Sequence, residues 1–485
     1  MSDTVRDLEP RSLWNHFADL NAVPRPSKKE EQVRKFITEF AEVHDLLHLQ
    51  DTVGNVVIKK AASEGMEDHK PIIMQSHLDM VHQKNNDTDF DFLTQGIDMY
   101  MEDGHVKARG TTLGADNGIG VAAIMAVLSS NDIAHPAIEA LFTIDEETGM
   151  TGAKQLDQSI LTSSILLNLD TEEDDEIDIG CAGGVDVTGT KHYNLVSVSN
   201  SYISKKITVK GLQGGHSGMD IIKGLGNANK IINRLLDAMQ KKGEVHIQSF
   251  DGGSLRNAIP REATATVCFD KDNLNEVWNA YQSCRTAILK EYKQLEPNLE
   301  FHIEDAENTD ALSAQDSREL VFAILGIHNG VYRMSPDIDG LVETSNNLAR
   351  VKLKKGDLEI ACLTRSSVES SKEDLASSIL GVMKLVGLKT KLSGDYPGWQ
   401  PNRDSAILKV VEKSYKSLFD HEPRVVACHA GLECGLLGER YPGLDMVSFG
   451  PNIRGAHSPD ERVEIESVQK FWKWLQDVLK NIPKS

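Results

Sequence analysis

The spacing of apolar positions changes several times along the chain, and those changes divide it into regions. Val33, Phe36, Ile37 and Phe40 recur at helical spacing after Pro24 and Pro26 and predict a helix over 28–43, preceded by one over 9–20. From Val53 to Ser164, short apolar runs alternate with helical segments, among them the small-residue helix 121–128. PIIMQ (71–75), ALFTI (140–144) and ILLNL (165–169) lack polar alternation, as expected of strands covered by helices on both faces. The texture is that of an α/β sheet.

A different texture begins near Lys191. Strand 202–209, a Gly-rich loop at 211–218, helix 221–240, strands 245–249 and 263–269, helix 274–293 and strand 299–304 form a βαββαβ series. Helix 318–327, strands 348–353 and 358–364, helix 372–386 and strand 390–393 read as a second round. The turn chemistry of GDYPGWQP (394–401) marks the return to the first texture, with helix 405–418, strand 444–449 and helix 465–479. The expected fold class is therefore α/β, a mixed sheet covered by helices, interrupted by an α+β domain of duplicated, ferredoxin-like βαββαβ topology. Residues 1–188 and 396–485 are assigned to the interrupted domain and 189–395 to the insertion.

Charge narrows the partners. Among 485 residues, 73 acidic side chains outweigh 52 basic ones for a net charge of -21, a field that repels phosphate backbones and anionic lipid. Neither nucleic acid nor membrane is an expected partner; small ligands and metal cations remain. Met1–Asn15 holds no apolar core of the signal-peptide kind, and the apolar run Gly118–Leu128 reaches about half of the ~20 residues a spanning helix needs. The six cysteines include no C-x-x-C pair and read as reduced thiols, so a cytoplasmic location is expected.

Acidic and imidazole groups collect where the predicted strands end. Strand 72–75 runs into Ser76-His77-Leu78-Asp79, the strand ending at Ile144 runs into Asp145-Glu146-Glu147-Thr148-Gly149, and another ends at Asn168-Leu169-Asp170. Asp116 precedes the small-residue helix, and His457 follows the strand 446–449 by a few residues. In an open α/β sheet the crevice lies beyond the carboxyl ends of the strands, so these groups are expected to converge. Imidazoles with carboxylates and no thiolate suit zinc or another divalent first-row metal. Two histidines and three carboxylates exceed the needs of one catalytic zinc, and two metals sharing a carboxylate would use all five. Asp79 is placed to accept the second ring N–H of His77, and of the pair Glu146-Glu147 one can bind metal while the other faces a water.

In this order, His77-x-Asp79, Gly-x-Asp116-x-Gly, Asp-Glu146-Glu147-x-Gly, Asp170 and the late His457 resemble the co-catalytic di-zinc peptidases, a family that includes aminoacylase, carnosinases and bacterial dipeptidases. The resemblance spans essentially the whole chain. It implies that His77 and Asp170 serve one metal, Glu147 and His457 the other, and Asp116 both. Glu146 matches the family's general base and Asp79 the carboxylate behind the first histidine. Gly214-Gly215-His216-Ser217-Gly218 resembles the family's lid loop, whose histidine steadies the developing oxyanion, and Leu255 to Pro260 resembles a lid motif that makes Asn257 a substrate contact. The inserted domain would then be a lid and the site of homodimerisation.

Arg365 is the candidate for the substrate's terminal carboxylate, which a guanidinium fork matches bidentately. At Cys428 to Gly435 (CHAGLECG) many relatives carry a Gly-Gly-Ser-Ile-Pro-like stretch; Glu433 could pair there with a free α-amino group. The acidic run Glu172 to Glu176 is taken as a solvated loop, and His82, His135, His421 and His429 are given no role. The expected activity is hydrolysis of unblocked dipeptides, including Xaa-His and β-alanyl-histidine, by water that two Zn²⁺ and Glu146 activate, with Co²⁺ or Mn²⁺ as substitutes. The alternatives are an N-acyl amino acid deacylase or aminotripeptidase, and a non-catalytic metal-binding protein on the same scaffold.

Overall fold

Strands Ile138–Thr143, Ile72–His77, Ile165–Asn168 and Asp445–Ser448 lie side by side in that order, each parallel to its neighbour, so that their carboxyl ends share one edge. Val56–Lys60 and Leu47–Gln50 extend the sheet in antiparallel fashion beyond Ile138–Thr143, and Glu176–Cys181 and Arg424–Cys428 extend it beyond Asp445–Ser448. The computed structural model describes residues 4–485. It divides into two units: Met1–Gly180, Pro401–Ala427 and Leu432–Ser485 form the first, and Cys181–Gln400 with Cys428–Gly431 the second.

In the first unit, every residue from Asn117 to Leu128 of the helix Ala115–Ser129 is buried, which is why its sequence carries no polar stripe. It packs on the strand Ile72–His77 and on the helix Arg11–Asn21. Close approach needs Gly120, where a Cβ would stand 2.5 Å from Ser76 Oγ and 2.6 Å from the Leu169 carbonyl oxygen. The helix Ile465–Lys480 is amphipathic instead, burying Val468, Phe471, Leu475 and Val478 at helical spacing. A small second sheet orders Ile453–Arg454, Arg462–Glu464, His105–Ala108 and Met99–Glu102, and it brings the chain after His457 alongside the chain before Asp116. Among the described residues no helix is long and apolar enough to cross a membrane.

The second unit is built on a nine-stranded antiparallel sheet with two βαββαβ rounds. Tyr202–Lys210, Val245–Gly252, Ala263–Asp270 and Glu300–Ala306, with helices Ala228–Gln240 and Leu274–Glu291, form the first. The second uses Val342–Lys354, Asp357–Ser366 and Lys389–Tyr396 with helices Ala314–Gly326 and Glu369–Leu385, but its first strand is Gly183–His192, ahead of the whole first round. One round is thus inserted within the other. The expected break at 188/189 falls inside that strand, whose three glycines blur the strand pattern, and the units divide at Gly180/Cys181 and Gln400/Pro401 instead. Cys428–Gly431 joins this unit because the Ala182 N–H donates to the carbonyls of Cys428 (3.1 Å) and Ala430 (3.0 Å).

Candidate functional site

The carboxyl ends of the four parallel strands gather the acidic and imidazole groups into two trios with one shared member. His77 ends its strand and is fully buried; its Nε2 lies 3.1 Å from Asp116 Oδ1 and 3.5 Å from Asp170 Oδ1. His457 Nε2 lies 3.1 Å from Asp116 Oδ2 and 2.9 Å from Glu147 Oε2. Each oxygen of Asp116 therefore faces a different histidine. The other Glu147 oxygen, Oε1, is buried without a hydrogen-bond partner among the described residues, an acceptor left for a cation. The donor set, the shared carboxylate and this orphaned oxygen fit a pair of divalent metals.

Local structure fixes these directions. Asp116 opens the helix Ala115–Ser129 after Gly114, whose φ of 70° makes the turn, and the Asp116–Asn117 peptide is cis. Asn117 Nδ2 donates to the Leu169 carbonyl (2.7 Å) and to Asp170 Oδ1, tying together the segments that carry Asp116 and Asp170. His77 Nδ1 is 3.1 Å from the Asp79 carbonyl oxygen and 3.5 Å from the Asp79 carboxylate. That carboxylate accepts from the amides of Glu146 (3.0 Å) and Glu147 (3.3 Å), so it orients both the imidazole and the adjacent acidic pair. Asp79 also forms a second acidic group with Glu30 and Asp145. There protein donors are already engaged: Glu30 accepts from the amides of Lys28 (2.7 Å) and Asp145 (3.2 Å), and Asp145 from the hydroxyls of Thr148 and Thr151. This group buttresses the turn that presents Glu146 and Glu147.

The field inside the cluster favours cations. Burial opposes charge on His77, yet Asp170, Asp116 and Asp79 raise its pKa well above the ordinary value. Hydrogen bonds to Asp116 and Glu147 push His457 up to about 11. Burial works against the Asp116 carboxylate, but His457 and His77 hold it below the usual range. Glu146 goes the other way: burial raises it well above the ordinary value, His77 opposing and Asp170, Glu433 and Glu147 adding to the shift. It is a carboxylate that holds a proton more readily than an ordinary one.

The profile of peptidase family M20/M25/M40 matches residues 73–481. The chain belongs to that family. It is 43% identical over 480 residues, 99% of each chain, to the cytosol non-specific dipeptidase of Escherichia coli (strain K12). The crystal structure of aminoacylhistidine dipeptidase from Vibrio alginolyticus superposes with a TM-score of 0.95 at 41% identity, covering 100% of this chain and 99% of that one. The aminopeptidase PepT of Bacillus cereus shares the fold alone, with a TM-score of 0.57 at 16% identity over 98% of this chain and 99% of that one.

In this M20/M25/M40 peptidase Glu433 is also buried in the first unit, at the start of the helix Glu433–Arg440. Its Oε2 accepts from Gln75 Nε2 (2.7 Å) and Thr143 Oγ1 (2.6 Å), while Oε1 is buried and unpartnered. Burial pushes its carboxyl up to about 8, Thr143 and His77 opposing, Asp170 and Asp79 reinforcing. The run Glu172 to Glu176 departs from the solvated loop expected for it. Glu173 pairs with Arg454 (2.6 Å), Asp174 with Lys470 (2.8 Å), and Asp175 (2.9 Å) and Glu176 (2.6 Å) with Arg424. Those cations come from segments some 250 to 300 residues later, so no local pattern announced them. Glu172, the remaining acid, is pushed to about 8 by burial and by Asp116 and Asp170, and it belongs to the site's surroundings although sequence reasoning passed over it.

The second unit carries the other candidates. The amides of Gly218 (3.2 Å) and Met219 (3.1 Å) donate to His216 Nδ1, so the neutral ring carries its proton on Nε2. Burial and Arg365 lower the His216 pKa, with Asp220 opposing. Arg365 is 5% exposed and donates to the neutral hydroxyls of Tyr396 (2.7 Å) and Ser217 (3.4 Å). Asn257 is exposed, and its carbonyl accepts from the Ser217 amide (2.7 Å), which links the segments 214–218 and 255–260. His429, given no role from sequence, is buried with its Nε2 2.7 Å from Ser345 Oγ, and burial with the nearby Arg365 and His216 lowers it to about 3.

Proposed function

We propose that this peptidase is a metal-dependent dipeptidase acting on unblocked dipeptides of broad sequence, Xaa-His and β-alanyl-histidine among them, with two zinc ions per subunit. The observation that carries the reading is Asp116, one oxygen toward His77 and the other toward His457, in a chain of 43% identity to a non-specific dipeptidase. His77 and Asp170 would hold one metal, Glu147 and His457 the other, and Asp116 both; cobalt or manganese would substitute. When bound, the metals supply Lewis-acid activation of a water and of the scissile carbonyl.

The chain's own residues do the rest. Glu146 takes a proton from the attacking water on its carboxylate and gives it to the leaving amine, and its raised pKa suits it to keep that proton between the two steps. Asp79, by holding the Glu146 and Glu147 amides, turns one acid to the water and the other to the metal. Glu433 offers Oε1 to the substrate's ammonium because Gln75 and Thr143 occupy only Oε2. His216 donates from Nε2 to the carbonyl oxygen as it gains charge. Arg365, whose partners are hydroxyls, pairs with the terminal carboxylate, and Asn257 contacts the substrate. A cytoplasmic homodimer formed through the inserted unit completes the proposal, supported by the family resemblance and by the cytosolic relative.

Hydrolysis of Leu-His, β-Ala-His, acetyl-Leu-His and a tripeptide, with and without chelator, tests the reading. Cleavage of the two free dipeptides that chelator abolishes is expected. Equal cleavage of acetyl-Leu-His would make the protein a deacylase, and preference for the tripeptide an aminotripeptidase.

A further inference from the structure

Glu461 is one of the least exposed acids of the first unit, at 2% exposure, and among the described residues it has no basic partner in its hydrogen bonds. Its Oε2 accepts from the amides of Leu113 (2.7 Å) and Gly114 (2.9 Å), and its Oε1 from those of Ala115 (2.7 Å) and Asp116 (3.3 Å). Four consecutive N–H groups thus converge on one carboxylate, an anion nest whose anion is part of the protein. From the other side, the buried Arg25 donates to the Gly114 carbonyl (2.6 Å) and to the carbonyls of Leu78 (3.1 Å) and Asp79 (3.3 Å). A Cβ at Gly114 would stand 2.5 Å from Arg25 Nη2. Glu461 follows His457 by four residues in a loop closed by the Glu461 amide on the Ser458 carbonyl (3.0 Å).

We propose that Glu461 is a positioning residue for the bridging carboxylate. By gripping the amides of 113–116 it sets the direction of Asp116 and ties that direction to the loop that carries His457, so that the two trios keep a common spacing. Arg25 completes the clamp by fixing the same turn to the segment after His77. The inference rests on the ligand set proposed above. It concerns a residue that touches neither substrate nor metal and acts through Asp116 and His457.

Glu461→Gln keeps the shape but leaves one good acceptor oxygen for four donors and turns an amide N–H toward them. Metal-free parent and variant are titrated with zinc against a competing indicator, and the cobalt-loaded forms are compared by visible absorption. The variant is expected to bind metal at least about tenfold more weakly, with an altered cobalt spectrum. Parental affinity and cobalt spectrum, whatever the metal-free melting temperature, would overturn the proposal. Failure of the parent to bind two metals would instead overturn the ligand set. Should the variant not fold, hydrogen exchange of the parent decides. The amides of 113–116 are expected to stay protected without metal, since their acceptor is Glu461, and exchange there at the rate of unstructured chain would refute the clamp.

Discussion

Asp116 and His457 are 341 residues apart in sequence, yet His457 Nε2 stands 3.1 Å from one oxygen of Asp116 while the other oxygen stands 3.1 Å from His77. The pairing of Arg462–Glu464 with His105–Ala108 delivers His457 to that position. The chemistry proposed for the site depends on this meeting.

Glu146→Gln removes the group proposed to move the proton and leaves the two trios intact. The expected result is a fall in kcat of about 10²–10⁴ with unchanged metal content, read by steady-state kinetics on Leu-His and by elemental analysis. Activity near the parent's would remove Glu146 as the base.

Metal loading near pH 7 should release protons. His77 and His457 both have raised pKa values in the metal-free protein, the latter about 11, and each must lose its proton to become a ligand. Calorimetric titration in buffers of different ionisation enthalpy should therefore show release approaching about two protons per chain. For His457 the sign is that of a raised base: its contribution to metal-free stability is full below 6.5 and is lost as pH rises toward about 11. Metal uptake without proton release would contradict the assignment.

Glu433→Gln should separate stability from recognition. The folded carboxyl titrates at about 8 against an ordinary 4.5, so the native state holds a proton that the unfolded chain has released. The metal-free parent accordingly loses stability as pH rises through that window, and the variant loses less of it, because only the raised carboxyls of groups such as Glu146 and Glu172 remain. The variant's melting temperature relative to the parent should climb across the same range, while kcat/KM for free dipeptides drops at least about tenfold and the metal content stays that of the parent.

Gly120→Ala places a methyl against Ser76 and the Leu169 carbonyl, forcing the helix that carries Asp116 away from the sheet. A loss of about 1–3 kcal/mol in unfolding free energy is expected, measured by denaturant titration, with weaker metal binding because Leu169 adjoins Asp170.

The strand-end groups were legible in the sequence because parallel strands put their carboxyl ends on one edge, which brings His77, Glu147 and Asp170 toward a common crevice. His457 was not legible from its own surroundings, a polar loop, and was assigned through the family resemblance. Glu461 was missed for the same reason: His-Ser-Pro-Asp-Glu reads as solvated, and only the amides of Leu113 to Asp116 bury it. The inserted unit showed two βαββαβ rounds in its pattern, but the first strand of the second round lies upstream of the first, in a glycine-rich stretch, where sequential reading does not look. The acidic run at 172–176 concealed its ion pairs because Arg424, Arg454 and Lys470 return only with the last segment of the chain.

Two zinc ions, held by the two trios with Asp116 serving both, would make this chain a dipeptidase. Metal-free protein titrated with zinc while hydrolysis of Leu-His is followed tests it most directly. No turnover is expected at the start, then activity that rises to a plateau at two zinc ions per chain, and complete loss on adding chelator. Turnover by the metal-free protein, a plateau at one ion, or two bound ions without turnover would contradict it.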